Sequence, residues 1–198
     1  YPPEDLVMRE DFLDEIQKSI EQIMPQTDGI SLIFGAPLKK NNTLFNAAIF
    51  LQDGNLKDTY FKQILPNYKE FDEKRYFATG SENKIITINE VSIGLSICED
   101  IWSETFVDKI IDDGAEIILN LSASPFTTSK KETRVKMLLE YYEKYKRPII
   151  YVNQAGGQDE LVFDGSSLVL GNEKETFKIL KSFKTDSLSF MYKDTKFI

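Results

Sequence analysis

Val91-Ser92-Ile93-Gly94-Leu95-Ser96-Ile97-Cys98 is the segment that most clearly indicates the architecture of this protein. Its odd-numbered apolar residues share one face of a strand, and small residues on the other face allow close packing. A helix over residues 104–113, an apolar strand over 115–121, a helix over 131–145 and a strand over 149–153 follow in order. This alternation predicts an α/β domain whose mixed sheet carries helices on its outer faces.

Further elements are predicted on both sides of this unit. Asp11 has the character of an N-cap for a helix that Pro25 ends. In the helix over 131–145 we expect Val135, Leu138, Leu139 and Tyr142 to point inward. Strands are predicted over residues 30–34, 44–51, 56–61, 85–88, 166–170 and 176–183, with hairpin turns at Asp53-Gly54, Asn89-Glu90 and Gly171-Asn172.

Composition excludes several classes of function. The 198 residues contain 24 Lys and Arg against 32 Asp and Glu, so a net charge of −8 argues against nucleic acid or an anionic membrane as partner. The absence of histidine excludes Ser-His-Asp and Cys-His catalysis and any histidine metal site. Cys98 is the only cysteine, so we expect no internal disulfide, no metal centre and a reducing, cytoplasmic location. No apolar run is long enough for a membrane span, and no signal peptide is visible.

Cys98 is the candidate nucleophile, because it stands where a strand ends and a helix begins. Open α/β sheets place reactive groups at this edge, and backbone N–H groups there can stabilise a thiolate or an oxyanion. A buried structural cysteine is the alternative. Glu99 and Asp100 would raise the pKa of the thiol, so a reactive Cys98 needs a nearby cation, and the general base must be a carboxylate.

Lys62 is the best candidate for that cation. It follows the strand over 56–61 and opens the segment 62–80, which lacks periodicity and is dense in Tyr, Phe, Pro and charge. Compact irregular segments of this kind often carry function. The alternatives are a solvated lysine at a strand end and an aromatic-packed surface loop.

Five motifs carry a resemblance to a known family. They are Tyr1-Pro2-Pro3-Glu4-Asp5-Leu6, Tyr60-Phe61-Lys62-Gln63-Ile64-Leu65-Pro66-Asn67-Tyr68 with Phe71-Asp72-Glu73-Lys74-Arg75-Tyr76-Phe77, Ile97-Cys98-Glu99-Asp100-Ile101-Trp102, Ser122-Ala123-Ser124-Pro125-Phe126, and residues 151–165. Together these motifs resemble the nitrilase (carbon–nitrogen hydrolase) superfamily, and within it the glutaminase domains of glutamine-dependent NAD synthetases. The first and last motifs favour that branch.

The resemblance implies a four-layer α-β-β-α sandwich with a Glu, Lys and Cys triad. Cys98 matches the nucleophile that would attack the glutamine side-chain amide and form a thioester with loss of ammonia. Lys62 matches the lysine, which with the backbone N–H of Glu99 would hold the oxyanion. Glu73 matches an additional glutamate that supports the lysine, and a surface carboxylate is the alternative.

The resemblance also implies substrate-binding residues. These are Tyr68, Ser124, Lys130 and Glu99. A cation at Lys130 could pair with the α-carboxylate of glutamine, and a solvated helix start at Lys130-Lys131 is the alternative.

The family's catalytic glutamate precedes the Tyr-Pro-Pro-Glu-Asp segment, and this sequence begins after it. We therefore expect residues 1–198 to be an N-terminally incomplete glutaminase domain that lacks the first strand, helix and strand. The glutaminase step needs no cofactor. ATP and Mg would belong to a synthetase domain, absent here, that amidates deamido-NAD with the ammonia and that residues 151–165 would face. Homo-oligomers are also implied. A stand-alone amidase acting on another small amide and a catalytically inactive scaffold are the alternative functions.

Overall fold

The computed structural model describes residues 2–171, 178–193 and 196–197. In this part of the chain the helices are α1 (Glu10–Ile23), α2 (Glu73–Tyr76), α3 (Glu104–Asp112) and α4 (Lys130–Tyr145). The strands are β1 (Ser31–Lys40), β2 (Thr43–Gln52), β3 (Asn55–Phe61), β4 (Ile85–Ile88), β5 (Val91–Ile97), β6 (Ile117–Ser122), β7 (Ile149–Asn153), β8 (Ala155–Gln158), β9 (Leu161–Asp164), β10 (Leu168–Leu170), β11 (Lys178–Ile179), β12 (Tyr192–Lys193) and β13 (Lys196–Phe197).

Two sheets form the centre of the molecule. An antiparallel sheet has the order β1-β2-β3, and a larger mixed sheet has the order β11-β10-β7-β6-β5-β4. Within the larger sheet β5, β6 and β7 are parallel, because α3 and α4 return the chain to the same edge each time. The predicted strand–helix–strand–helix–strand unit is therefore confirmed.

The two sheets pack face to face between helices. Ala48 and Phe50 of β2 belong to the same buried cluster as Leu95 and Ile97 of β5. On the opposite face of β2, Ile49 packs with α1. The helix α3 lies so close to β5 that a Cβ on Gly94 would come within 3.3 Å of the Ile110 Cδ1 atom, as the small-residue face predicts. These layers form the α-β-β-α sandwich that the resemblance implies.

The β2–β3 hairpin confirms its turn prediction. Asp53 and Gly54 both have positive φ angles, 49° and 71°, which match the twist of the flanking strands. The β4–β5 hairpin is confirmed as well, with positive φ angles at Asn89 and Glu90. Asn172 of the predicted Gly171-Asn172 turn and the first two residues of the predicted 176–183 strand lie outside the described residues. Tyr1 of the first motif also lies outside them.

Several predicted boundaries are wrong. The helix α1 begins at Glu10 after Arg9, and Asp11 accepts a hydrogen bond from the Arg9 side chain (Nε–Oδ1, 3.1 Å) instead of capping the helix. The strand β1 continues to Lys40, past Gly35 and Pro37. Proline is tolerated there because β1 is the outer strand of its sheet, where a missing N–H need not break the pairing.

The prediction of which α4 residues point inward is also wrong in part. Leu138 is buried, as predicted, but Leu139 is 40% exposed. Arg134 and Tyr141 are buried in its place, at positions one helical turn on either side of Leu138. The apolar pattern gives the wrong buried face for α4, because the fully buried position 134 is occupied by an arginine and not by an apolar residue.

No helix within the described ranges is long and apolar enough to cross a membrane. The hairpin of β8 and β9 was not predicted, since Gly156 and Gly157 obscure the strand pattern. The ends of β3, β5, β6 and β7 lie around one pocket, and that pocket is the candidate site.

Candidate active site

Cys98 occupies the sharp turn between β5 and the 3-10 turn Cys98–Trp102. Its φ angle is +46°, a left-handed conformation that is uncommon for a residue with a side chain. A strained turn of this kind directs a side chain away from the strand it ends, and it persists only where the surroundings hold it. The thiol is free and 9% exposed, so it faces an enclosed space.

Lys62 lies directly after β3, and its ammonium is buried against Glu73. The Nζ atom donates to Oε1 of Glu73 at 2.6 Å, with side-chain exposures of 1% and 6%. Asn46 of β2 donates to the second carboxylate oxygen at 3.3 Å. The short helix α2 begins at Glu73 and so places this carboxylate beneath Lys62. A solvated lysine and a surface carboxylate, the alternatives from sequence, are both inconsistent with these positions.

One close backbone approach holds the strand end that carries Lys62. The N–H of Gly80 donates to the carbonyl of Lys62 at 2.8 Å. A Cβ atom at Gly80 would lie 2.1 Å from the carbonyl oxygen of Phe61, so no other residue fits without moving the backbone. The irregular segment 62–80 therefore closes back on Lys62 at its end.

The pocket has a volume of about 420 Å³ and brings the three predicted catalytic residues together. Cys98, Lys62 and Glu73 all line it. Its size suits a ligand of a few heavy atoms and its wall is mostly apolar, with a small number of polar groups. The other lining residues include Pro2, Pro3, Ile33, Asn46, Phe71, Phe77, Ser122, Ala123, Val152, Asn153 and Gln154.

The electrostatics of the thiol follow from burial and from one cation. Burial raises the pKa of Cys98, since an enclosed site disfavours the thiolate. The Lys62 ammonium opposes this and lowers the pKa, whereas the carboxylates of Glu73 and Glu99 raise it. A hydrogen bond with the Ser122 side chain also lowers it, so Lys62 and Ser122 both favour a charged sulfur, and Lys62 has the larger influence.

Tyr68 and Glu99, two of the predicted substrate-binding residues, form a hydrogen-bonded pair outside the pocket lining, and Glu99 directly follows Cys98 in the chain. The hydroxyl of Tyr68 donates to Oε1 of Glu99 at 2.8 Å, and Tyr68 is 47% exposed. Burial and the neighbouring Glu99 raise the pKa of Tyr68, so the phenol keeps its proton. This pair can offer hydrogen bonds without adding a second nucleophile.

Ser124 and Lys130 lie outside the set of residues that line the pocket. Ser124 is buried, and its backbone N–H donates to Oδ1 of Asn153 at 2.9 Å. The Nζ atom of Lys130 lies 4.4 Å from the ring centroid of Trp102, a cation–π contact at the start of α4. The pocket lining thus contains the three predicted catalytic residues and none of the four predicted substrate-binding residues, which are Tyr68, Glu99, Ser124 and Lys130.

Two residues that support Cys98, Lys62 and Glu73 were not predicted from the sequence. Asn46 is a polar residue within the otherwise apolar pattern of β2, and this interruption could have indicated a functional side chain. Asp100 appears in the sequence as an acidic neighbour of the thiol, but it is fully buried and accepts four hydrogen bonds. Burial raises its pKa to about 6 against those hydrogen bonds, which lower it.

A second buried polar group lies behind the pocket wall. Arg134 of α4 pairs with Asp164 at 3.0 Å (Nη2–Oδ1), and its Nη1 donates to the carbonyl of Gly165 at 3.3 Å. The Asn153 amide donates to the same carbonyl at 2.9 Å. Through Asn153 this pair supports the backbone of Ser124. Nothing in the α4 sequence distinguishes Arg134 from a solvated arginine.

Comparison with known proteins shows one family model that matches most of the chain and relatives that share one name. The family model described as Carbon-nitrogen hydrolase matches residues 16–188. The glutamine-dependent NAD(+) synthetase of Xanthomonas campestris is 40% identical over 171 residues, 85% of this chain and 31% of the relative. That of Thermotoga maritima is 37% identical over 193 residues, 96% of this chain and 33% of the relative. The chain thus spans about a third of the length of these curated relatives.

Solved structures show the same similarity. The glutamine-dependent NAD+ synthetase of Acinetobacter baumannii superposes with a TM-score of 0.88 at 35% identity, over 94% of this chain and 35% of the other. A nitrilase-superfamily amidase of Nesterenkonia AN1 superposes with a TM-score of 0.78 at 20% identity, over 91% of this chain and 69% of the other. The second similarity concerns the fold alone.

Proposed function

Because the chain belongs to the carbon–nitrogen hydrolase family, we propose that it hydrolyses the side-chain amide of glutamine through a thioester on Cys98. The observation that carries this proposal is the pocket that Cys98 shares with the buried Lys62–Glu73 pair. A carbon–nitrogen hydrolysis without histidine needs a nucleophile and a fixed cation, and these residues supply both.

The first half of the reaction forms the thioester. The sulfur of Cys98 attacks the amide carbon, and the negative charge that develops on the amide oxygen is held by the Lys62 ammonium and the backbone N–H of Glu99. The carbon–nitrogen bond then breaks, and the NH2 group leaves as ammonia with the one proton that the thiol has given up. In the second half water attacks the thioester, which releases glutamate and restores the thiol.

Glu73 is the one carboxylate among the described residues that line the pocket. It already accepts from Lys62 and Asn46, so we assign it to holding the ammonium and not to taking the proton of the thiol. The resemblance assigns the proton of the thiol to a glutamate other than Glu73.

We assign recognition of glutamine to residues outside the pocket lining. Tyr68 and Glu99, the residue after the nucleophile, form a hydrogen-bonded pair and are suited to the α-amino end of the substrate. Lys130 is the cation for the α-carboxylate, which requires it to leave the Trp102 ring. The backbone N–H of Ser124 holds the side chain of Asn153, which lines the pocket.

The names of the relatives support a destination for the ammonia. The relatives are named glutamine-dependent NAD(+) synthetases. The resemblance implies that the ammonia serves an ATP- and Mg-dependent amidation of deamido-NAD. We propose this use for the present protein, with a synthetase domain as the partner, a homo-oligomeric assembly and a cytoplasmic site where the free thiol stays reduced. The glutaminase step itself uses no cofactor.

Ammonia release from glutamine by the protein expressed from its complete gene tests the proposal. We expect turnover of glutamine that Cys98→Ala abolishes and that Lys136→Ala, a change at an exposed position, leaves intact. Addition of ATP and deamido-NAD should yield NAD. Faster turnover of other small amides would favour a stand-alone amidase, and failure with every amide would favour an inactive scaffold. Activity that survives Cys98→Ala would overturn the assignment of the nucleophile.

A further inference from the structure

One fully buried carboxylate joins the two chain segments that carry the candidate nucleophile and its cation. Asp100 belongs to the 3-10 turn that begins at Cys98, and its relative exposure is 0%. Its Oδ1 atom accepts from the backbone N–H of Ile64 at 2.8 Å and of Gln63 at 3.2 Å, the two residues after Lys62.

The other oxygen of Asp100 faces the strand β5. Oδ2 accepts from the backbone N–H of Ile97 at 2.9 Å, the residue before Cys98, and from the hydroxyl of Tyr60 at 2.7 Å. Burial of a carboxylate is costly unless its oxygens are hydrogen-bonded, and here two donors meet each oxygen. The four hydrogen bonds therefore stabilise one arrangement of the two segments.

We propose that Asp100 is a positioning residue that sets the separation between the Lys62 ammonium and the Cys98 sulfur. The inference rests on the proposed function and extends it to a residue that touches neither substrate nor thiol. The sheet pairing does not fix this separation, because Lys62 follows β3 of one sheet and Cys98 follows β5 of the other. Asp100 bridges the two sheets at this point. A misplacement of about 1 Å between reacting groups costs on the order of 100-fold in rate.

The substitution Asp100→Asn keeps the size of the side chain but turns one oxygen into an N–H donor. That group would then face backbone N–H groups of one segment, so one of the two links is lost. We expect kcat for glutamine to fall about 100-fold while KM changes little, because Tyr68, Glu99 and Lys130 are not substituted. Ser96→Ala is the matched control and should keep kcat. Ser96 is equally buried in β5, but among the described residues its side chain bonds to Leu119 and Asn120 of β6 and not to the segment after Lys62.

A measurement without substrate separates positioning from charge. The rate at which iodoacetamide alkylates Cys98 follows the thiolate population, and its pH profile reports the pKa of the thiol. If Asp100 acted only as a nearby negative charge, its neutralisation would move the profile to lower pH. If Asp100 positions Lys62, the loss of the ammonium's influence will move the profile of Asp100→Asn to higher pH. A shift to lower pH, or no shift, overturns the proposal.

Tyr60→Phe keeps the inference testable if Asp100→Asn does not fold. This change removes one hydrogen bond from Asp100 but leaves both backbone links in place. We expect kcat to fall by less than about threefold. A 100-fold fall would show that Tyr60 and not the bridge matters. If the wild-type protein released no ammonia from glutamine while the alkylation profiles followed the expected order, the proposed function would fail and the positioning role would stand.

Discussion

Two ion pairs in the described part of the chain are buried on both sides, and their surroundings differ. Lys62 and Glu73 lie 2.6 Å apart and line a pocket that also holds the thiol of Cys98. Arg134 and Asp164 lie 3.0 Å apart between α4 and β9, away from the pocket lining. Both pairs are less than a tenth exposed, so burial alone does not distinguish a functional pair from a structural one.

The difference lies in what each pair leaves available. The guanidinium of Arg134 is held by Asp164, by the carbonyl of Gly165 and by the ring of Tyr151, and these contacts join helix to sheet. The Lys62 ammonium has an acceptor on one side and the pocket on the other. A cation that faces open space can stabilise charge on a substrate, whereas an enclosed cation stabilises only the fold.

The largest expected effect comes from breaking the enclosed pair. Arg134→Met leaves the carboxylate of Asp164 buried without its cation, so the free energy of unfolding should fall by about 3–5 kcal/mol. Urea denaturation measures it. Lys136→Met, on the same helix but exposed, should change stability by less than about 0.5 kcal/mol. Equal losses for the two variants would mean that burial of the Arg134–Asp164 pair is not what stabilises this region.

Lys62→Met should act on catalysis more than on stability. Removal of an oxyanion donor costs about 100- to 1,000-fold in kcat. The free energy of unfolding should fall by less than in Arg134→Met, because water entering the pocket can solvate Glu73. Ammonia release and urea denaturation of the same preparations provide the comparison. A variant that unfolds as readily as Arg134→Met yet keeps its activity would reverse the roles assigned to the two pairs.

Glu73→Gln should have a smaller effect on the same reaction. The glutamine oxygen can still accept from Lys62, but the hydrogen bond loses its ionic partner and about 1–1.5 kcal/mol with it. We expect kcat/KM to fall about tenfold. Asp164→Asn is the matched change in the other pair and should leave kcat/KM of the folded protein unaltered. Loss of activity in Asp164→Asn without loss of structure would contradict the assignment of Arg134–Asp164 to the fold and of Lys62–Glu73 to the reaction.

The smallest effect is a displacement of the pH at which the thiol ionises. Burial raises the pKa of Cys98 and the charge on Glu73 raises it further, so removal of that charge must lower it. Alkylation of Glu73→Gln by iodoacetamide should therefore reach half its maximal rate at a lower pH than in the wild type. The profile of Asp164→Asn should coincide with the wild type. The glutamine oxygen still accepts from Lys62, so the ammonium should stay in place. An upward movement in Glu73→Gln would contradict this, because it would show that the neutral side chain no longer holds Lys62 beside the thiol.

Local patterns were enough to predict most of the fold. The alternation in β5, the apolar run of β6 and the Asp53-Gly54 turn each depend on neighbours in sequence, and each is confirmed. The failures occurred where tertiary contacts override local preference. Pro37 fits β1 because that strand is at an edge, and Arg134 is buried because Asp164, distant in sequence, meets it.

From residue types alone, residues 1–198 offer no histidine to the candidate site, and Cys98 and Lys62 are the candidate nucleophile and cation. Tertiary contacts were needed to show that Lys62 bonds to Glu73, that Asp100 bonds to Tyr60 of β3, and that the predicted substrate-binding residues lie outside the pocket lining. Residue type sets which reactions a side chain can support. Its burial and its charged neighbours, which set its pKa and its access to substrate, come from segments that meet only when the two sheets pack together.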